Sequence, residues 1–352
     1  MSLNVALTYI TFDYNVVIVI LTFGLFTGFG IGLAYGSVFA VPLSWFRKNT
    51  GLVIGVVGSG YGISSVIFGF IQNYINVHEN EKFRLSFVIV AVVYAILQLI
   101  GSVLLKDYSD TEERLAAEDL RQSIISNEDL VNPIQQNLFK KKLDLEPHKV
   151  LQEFDFWILW MTFLMNSYCV ILFLLLTNPY AKALQIDEYK SIYSILTGIF
   201  QFVGRICWGY LIDRKPYKKL MLIITIVTSI MIGTQNCIIF IPDKVSKTVF
   251  NCLWVSVLNF VLSSSFVIFP TICIKYFGRK HFICNYGLLF TACSVSGSIV
   301  CVIISQYTHQ VYDKHSNFKF YRTVYTVGSA VSLVAAVLTL LFRGKSVIIY
   351  SY

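Results

Sequence analysis

Residues 204–215 read Gly-Arg-Ile-Cys-Trp-Gly-Tyr-Leu-Ile-Asp-Arg-Lys. Arg205 lies inside a long apolar run, and Asp213, Arg214 and Lys215 close that run with a charge cluster. At about 1.5 Å rise per helical residue, Arg205 sits roughly 12 Å along the axis from Asp213. If the charge cluster marks a membrane interface, Arg205 approaches the middle of a hydrocarbon core about 30 Å thick. Insertion there costs roughly 2.5–3.5 kcal/mol, so something must offset it. A guanidinium is a planar fork that fits a carboxylate bidentately, and burial strengthens such a pair. The chemistry this predicts is anion binding. The competing reading has Arg205 brace a gate by pairing with an acid or a helix end.

Other residue types point away from catalysis. The five histidines (His78, His148, His281, His309, His315) fall in predicted loops and form no metal-ligating or catalytic cluster. The eight cysteines are scattered, and Cys169, Cys207, Cys252, Cys273, Cys293 and Cys301 lie inside apolar segments. No pair has metal-ligand spacing, so they read as free buried thiols. The runs Gly28-Phe29-Gly30-Ile31-Gly32 and Gly58-Ser59-Gly60-Tyr61-Gly62 superficially suggest a nucleotide loop. Neither follows a strand, and both lie in apolar helices, where small residues let neighbours approach closely and slide. The reading is no enzyme, no catalytic residue, no metal and no cofactor.

The elements that must position Arg205 are membrane helices. Of 352 residues, 56% are hydrophobic and only 14% charged, and mean hydropathy is +0.66. A soluble domain carries about 25% charged residues, so the composition gives an all-α polytopic membrane protein. Nine spans are expected, over residues 15–44, 51–76, 84–105, 154–177, 190–212, 218–241, 248–275, 282–306 and 322–342. Residues 1–13 are too short to span, and no cleavable signal peptide is evident. The net charge of +8 does not indicate nucleic acid, because the basic residues sit in short clusters between apolar runs. Eighteen of the 28 lysines and arginines fall in one set of loops. That set should face the cytosol, which puts the C-terminus inside and the N-terminus outside. Much of the bias comes from residues 107–152, the one soluble stretch. These carry a short charged helix, the break Asn132-Pro133 and the run Lys140-Lys141-Lys142. They read as a solvated linker on the membrane surface.

A repeat is visible across the chain. Trp45-Phe46-Arg47-Lys48 lies between the first two spans, with Gly51 and Gly55 opening the next. Tyr276-Phe277-Gly278-Arg279-Lys280 lies between the seventh and eighth, followed by Asn285-Tyr286-Gly287. The copies are six helices apart, as in a transporter built of two parallel six-helix repeats. With these motifs in hand, residues 204–214 resemble the second-half copy of the loop motif of the major facilitator superfamily. The stretch Gly-Leu-Ala-Tyr-Gly at 32–36, Trp45 to Lys48, Gly55 to Gly62, Phe269-Pro270 and Asn285 to Phe290 resemble its oxalate/formate antiporter and monocarboxylate transporter branch. The nine spans match helices four to twelve of that twelve-helix template. Counterparts of the first three are expected to be missing from this sequence, together with the first-half copy of the motif.

The resemblance implies a division into residues 1–106 (remainder of the N-terminal half, three helices), 107–152 (cytoplasmic linker) and 153–352 (six-helix C-terminal half). It also implies roles. Arg205 matches the carboxylate-anchoring arginine of template helix eight. Tyr35 matches a pocket tyrosine, and Gln201, Phe266 and Phe269 are lining candidates. Gly204, Gly209, Asp213 and Arg214 match the gate, with Asp213 and Arg214 as its latch. Two departures narrow the cargo. Gln201 stands where monocarboxylate transporters often place an aspartate, and Cys293 stands where oxalate transporters carry a lysine. Without that second cation, a monoanion fits better than a dicarboxylate. The expectation is a secondary transporter of a small organic anion, a monocarboxylate, working by alternating access. It is a multi-pass protein of the plasma membrane or an organelle membrane, whose partners are the anion and the bilayer, with no obligate protein partner. The alternatives are carriage of an amino acid or other neutral metabolite, and a truncated product that transports nothing.

Overall fold

The computed structural model describes residues 2–11, 16–46, 48–78, 83–104, 144–186, 188, 190–307 and 318–344. Described residues include no strand. The helices are α1 (Ser2–Thr11), α2 (Val16–Val19), α3 (Thr27–Trp45), α4 (Thr50–His78), α5 (Phe83–Leu104), α6 (Pro147–Val150), α7 (Phe154–Ala183) and α8 (Lys190–Arg214). They continue with α9 (Tyr217–Thr234), α10 (Lys244–Leu262), α11 (Ser265–Phe277), α12 (Phe282–Gln306) and α13 (Lys319–Leu341). A π-helical segment, Ile20–Phe26, joins α2 to α3, and a 3-10 segment, Gln235–Phe240, extends α9. Among the described residues, nine helical runs are long and apolar enough to cross a membrane. They coincide with the nine expected spans to within several residues. The chain is an integral, multi-pass, all-α membrane protein. Most of the expected 107–152 linker lies outside the described residues, as do Arg47, His309 and His315.

The chain forms two compact units, Met1–Lys48 with Phe70–Leu143, and Asn49–Gly69 with Asp144–Tyr352. In the first, α1 packs on α5 through buried Val5 and Thr8. The Phe23 and Phe87 rings meet edge to face at 5.9 Å. Val17, Ile20, Leu25, Phe29, Leu33, Leu99 and Val103 are exposed. Side chains this apolar on an outer face are at home against lipid tails.

The second unit is held by small residues and a tyrosine-rich core. Helix α7 packs against both α12 and α13. Ser229 of α9 and Ser329 of α13 each donate to the other's backbone carbonyl at 2.9 Å, and Ser332 donates to the Thr225 carbonyl at 2.8 Å. In hydrocarbon an unsatisfied hydroxyl is costly, so reciprocal serine bonds both satisfy the polar atoms and fix the crossing. Tyr180, Tyr193, Tyr321 and Tyr325 are all buried in one cluster, and Tyr180 donates to the Gln235 carbonyl at 3.0 Å. At the start of α10, Asp243 accepts from the Ser246 backbone N–H at 2.8 Å. That bond holds its carboxyl below the usual carboxylate range. The cap is therefore at full strength above the ordinary carboxyl value and is lost as pH falls through the depressed one.

Two expectations are corrected here. The span expected over 248–275 is not one helix: α10 ends at Leu262, Ser263 and Ser264 form a turn, and α11 begins at Ser265. Three consecutive serines compete for backbone hydrogen bonds, which is the signal for the break. All eight cysteines are free, as expected, but only Cys169 and Cys273 are buried, while Cys301 is exposed. Lipid is as apolar as a protein interior, so an apolar neighbourhood in sequence does not distinguish an inward thiol from an outward one.

Candidate functional site

Helix α8 carries the centre of the site because its two faces meet different neighbours within the second unit. One face meets α4 almost backbone to backbone. A Cβ on Gly62 would lie 2.6 Å from the Phe202 nitrogen and 2.7 Å from the Gly198 oxygen. One on Gly209 would lie 3.1 Å from the Gly51 carbonyl carbon and 3.2 Å from the Gly55 Cα. These spacings on α4 and α8 are one helical face each, so glycine makes the crossing possible. The other face meets α10. A Cβ on Gly204 would lie 2.7 Å from the Phe260 oxygen, and Trp208 donates its indole N–H to that same carbonyl at 2.8 Å.

Arg205 emerges between these contacts and is 7% exposed. Its guanidinium donates to the Gly58 carbonyl. It lies 4.9 Å from the centroid of the Tyr61 ring of α4 and 5.3 Å from that of the Phe266 ring of α11. Ring faces are electron-rich and stabilise a desolvated cation, at about 2 kcal/mol or more when water is excluded. Phe266 stands two residues past the Ser263–Ser264 turn, so the helix break places it. The hydroxyls of Ser264 and Ser265 are buried there without a protein partner.

Gln201 lies one turn before Arg205 and is likewise buried. Its amide N–H donates to the Asn259 side-chain oxygen at 3.0 Å. Asn259 in turn donates to the Val255 carbonyl at 2.7 Å and to the Thr197 hydroxyl at 3.3 Å. Arg205, Gln201 and Phe266 are thus brought together, and sequence reasoning had not included Tyr61, Asn259 or Thr197. Tyr61 was legible inside the quoted glycine run. Asn259 and Thr197 carried no signal of their own. Phe269 is elsewhere: it is fully buried, with its ring stacked on Phe163 at 4.4 Å. Cys293 is on α12, which packs along α7. Tyr35 belongs to the other compact unit, where its ring meets Phe39 edge to face at 5.2 Å.

At the end of α8, Asp213 accepts from the backbone N–H groups of Gly51 and Leu52, both at 2.9 Å. Those amides open α4 and have no intrahelical acceptor, and the positive end of the helix dipole attracts a carboxylate. Lys275 of α11 completes the cluster, 3.1 Å from Asp213 and donating to the Ile212 carbonyl at 2.9 Å. Arg279 donates to the Thr50 hydroxyl at 2.8 Å. Of the expected Asp213/Arg214 latch, Asp213 is paired here with Lys275. Arg214 lies 4.1 Å over the Tyr210 ring on its own helix, one turn back, where stacking competes with reaching outward. The basic partner is Lys275, which was legible at the edge of the Tyr276 to Lys280 motif. Asp144 accepts from the backbone N–H groups of Arg279 and Lys280 at 3.0 and 3.2 Å, which fixes that loop.

Replacing Asp213 with alanine removes an acceptor shared by two amides and a lysine. The expected loss is about 1–2 kcal/mol of stability, as for other cap deletions. A detergent-solubilised thermal melt should show the lower midpoint for Asp213→Ala, with Asp213→Asn in between.

A Major Facilitator Superfamily model matches residues 1–301. The chain belongs to this family. Among curated relatives, Apicoplast pyruvate carrier 1 of Toxoplasma gondii is 21% identical over 76% of this chain and 55% of its own length. Monocarboxylate transporter 12 of Xenopus laevis is 28% identical over 56% of this chain and 43% of its own. An uncharacterized MFS-type transporter of Escherichia coli, YhjX, is 22% identical over 76% of this chain and 61% of its own. The chain therefore spans about half the length of the curated relatives it matches. Of the oxalate/formate antiporter and monocarboxylate transporter branch expected from the motifs, the monocarboxylate transporter part is supported by the match to Monocarboxylate transporter 12.

Proposed function

We propose that this protein is a secondary transporter that carries a small organic monoanion, a monocarboxylate, across a membrane by alternating access. The observation that carries the reading is Arg205, buried midway along a spanning helix between the ring faces of Tyr61 and Phe266. Arg205 takes the carboxylate in its fork, and the Tyr61 and Phe266 ring faces stabilise the guanidinium beside it. The names of the pyruvate carrier and the monocarboxylate transporter support the same cargo. Gly204 and Gly209 let α8 shift against α10 and α4, and Asp213 with Lys275 clasps α4 in one state. Phe269 stacks on Phe163 of α7 and so holds the position of α11. Cys293 is a neutral residue where a second cation would favour a dianion, so Arg205 is the fixed cation of this reading among the described residues. The end bearing Asp213 and the C-terminus face the cytosol, in the plasma membrane or an organelle membrane.

The test is uptake of a labelled short monocarboxylate into liposomes containing the full-length protein. Saturable uptake, competed by other short monocarboxylates and not by neutral solutes of the same size, is the expected result. Equal competition by the neutral solutes overturns the proposal.

A further inference from the structure

The turn between α8 and α9 gathers Arg214, Lys215, Lys218 and Lys219. All four are exposed, and none pairs with an acid among the described residues. The neighbouring carboxylate, Asp213, is already taken by Lys275 and by the Gly51 and Leu52 amides. Arg214 and Lys215 close α8, where the negative end of the helix dipole suits a cation. Lys218 and Lys219 stand in the first turn of α9, where the dipole opposes a cation, and that turn has neither an acid nor a side-chain cap. Like charges are thus held together, two of them against the dipole, with no protein anion to offset them. Both helices also run into this turn with an exposed apolar stripe. On α9, Lys219 is followed by the exposed Ile223, Ile226 and Ile230 at three- and four-residue intervals, which is one helical face. On α8, the exposed Ile199, Val203 and Tyr210 lead to Arg214, which lies 4.1 Å over the Tyr210 ring. Tyr210 lies roughly 140° around α8 from Arg205, so this stripe is turned away from the candidate anion site.

We propose that the α8–α9 turn binds an anionic phospholipid, with its phosphate among Arg214, Lys215, Lys218 and Lys219 and its acyl chains along the two apolar stripes. The proposal is independent of what the protein carries. Lipid is the occupant because charge and depth agree. A cation that ends a lipid-facing stripe lies at the level of the headgroups, and basic clusters beside spanning helices attract anionic lipid. The opening amides of α9, which have no intrahelical acceptor, add to the attraction for a phosphate. Tyr210 suits the same boundary, with its ring under the guanidinium and its apolar body on the stripe. A soluble anion would offset the charge but leave both stripes unused.

Thermal melts of the full-length protein in dodecyl maltoside, with added phosphatidylglycerol or phosphatidylcholine, test the site. Phosphatidylglycerol should raise the melting midpoint above that in phosphatidylcholine by about 3 °C or more. Lys218→Gln with Lys219→Gln should reduce that difference to less than about half. Lys247→Gln with Lys319→Gln removes the same charge elsewhere and should leave the difference intact. Equal midpoints in the two lipids overturn the inference, a result that needs no variant to fold. A difference that survives the Lys218 and Lys219 changes, or that the control pair also removes, overturns the placement at this turn. Inorganic phosphate without lipid that raises the midpoint as far as phosphatidylglycerol does overturns lipid as the occupant. None of these results bears on Arg205, whose role is read from uptake.

Discussion

Arg205→Ala abolishes monocarboxylate uptake, by about 100-fold or more. The size follows from what the change removes. Truncating one partner of a buried, hydrogen-bonded charge pair costs about 2–5 kcal/mol, because the other charge is left in a dry site. Arg205→Lys separates charge from geometry. Lysine keeps the cation but loses the planar fork and the stacking on Tyr61 and Phe266, so an intermediate loss of about tenfold is expected. Both variants also give up the bond to the Gly58 carbonyl, which is why a melt belongs beside the uptake assay. A normal melting midpoint with absent uptake assigns the loss to binding. Uptake by the alanine variant above about a tenth of the unaltered rate would sink the anchor role.

The second large effect concerns α4. Gly62→Ala places a methyl 2.6 Å from the Phe202 nitrogen and 2.7 Å from the Gly198 oxygen, which are backbone atoms of α8 with nowhere to move. The helices must separate, and overpacking of this kind costs about 1–3 kcal/mol. The same separation draws Tyr61 away from Arg205, so uptake should fall along with the melting midpoint. Gly60→Ala is the control, because nothing lies within 4 Å of the added methyl. Alanine is the better helix former by roughly 0.5–1 kcal/mol, so this variant should melt at or above the unaltered protein. If both behave alike, the α4–α8 crossing is not as close as described.

These two glycines also show what the sequence could and could not tell. The run Gly58 to Gly62 announced close helix packing, and the nine spans were legible because twenty apolar residues have few other uses. Which glycine faces a neighbour was not legible, because Gly60 and Gly62 differ only in the direction they point. The same limit hid the exposure of Cys301. Arg205 was conspicuous as a cation among apolar residues, and Asp213 as the end of a span. Their neighbours were not: Asn259 and Thr197 are ordinary polar residues of spanning helices, and their roles exist only once α8 and α10 are side by side. The departure of Arg214 to Tyr210 was a contest between two short-range contacts that spacing alone does not decide. Phe266 and Phe269 were read as equals. Three residues apart, one meets the guanidinium and the other stacks on Phe163.

The turn at Ser263 and Ser264 bears on how force travels in this bundle. A continuous spanning helix is a stiff rod, and a push at one end displaces the other. Here the rod is in two pieces. Its far piece, α10, is seated in the tyrosine cluster through Val255, Leu258 and Leu262. Its near piece, α11, carries Phe266 at one end and Lys275, bound to Asp213, at the other. Phe266, which faces the guanidinium, and Lys275, which pairs with Asp213, therefore ride on one short helix that is separate from α10, so substitutions that shift α11 should disturb both contacts while those confined to α10 spare them.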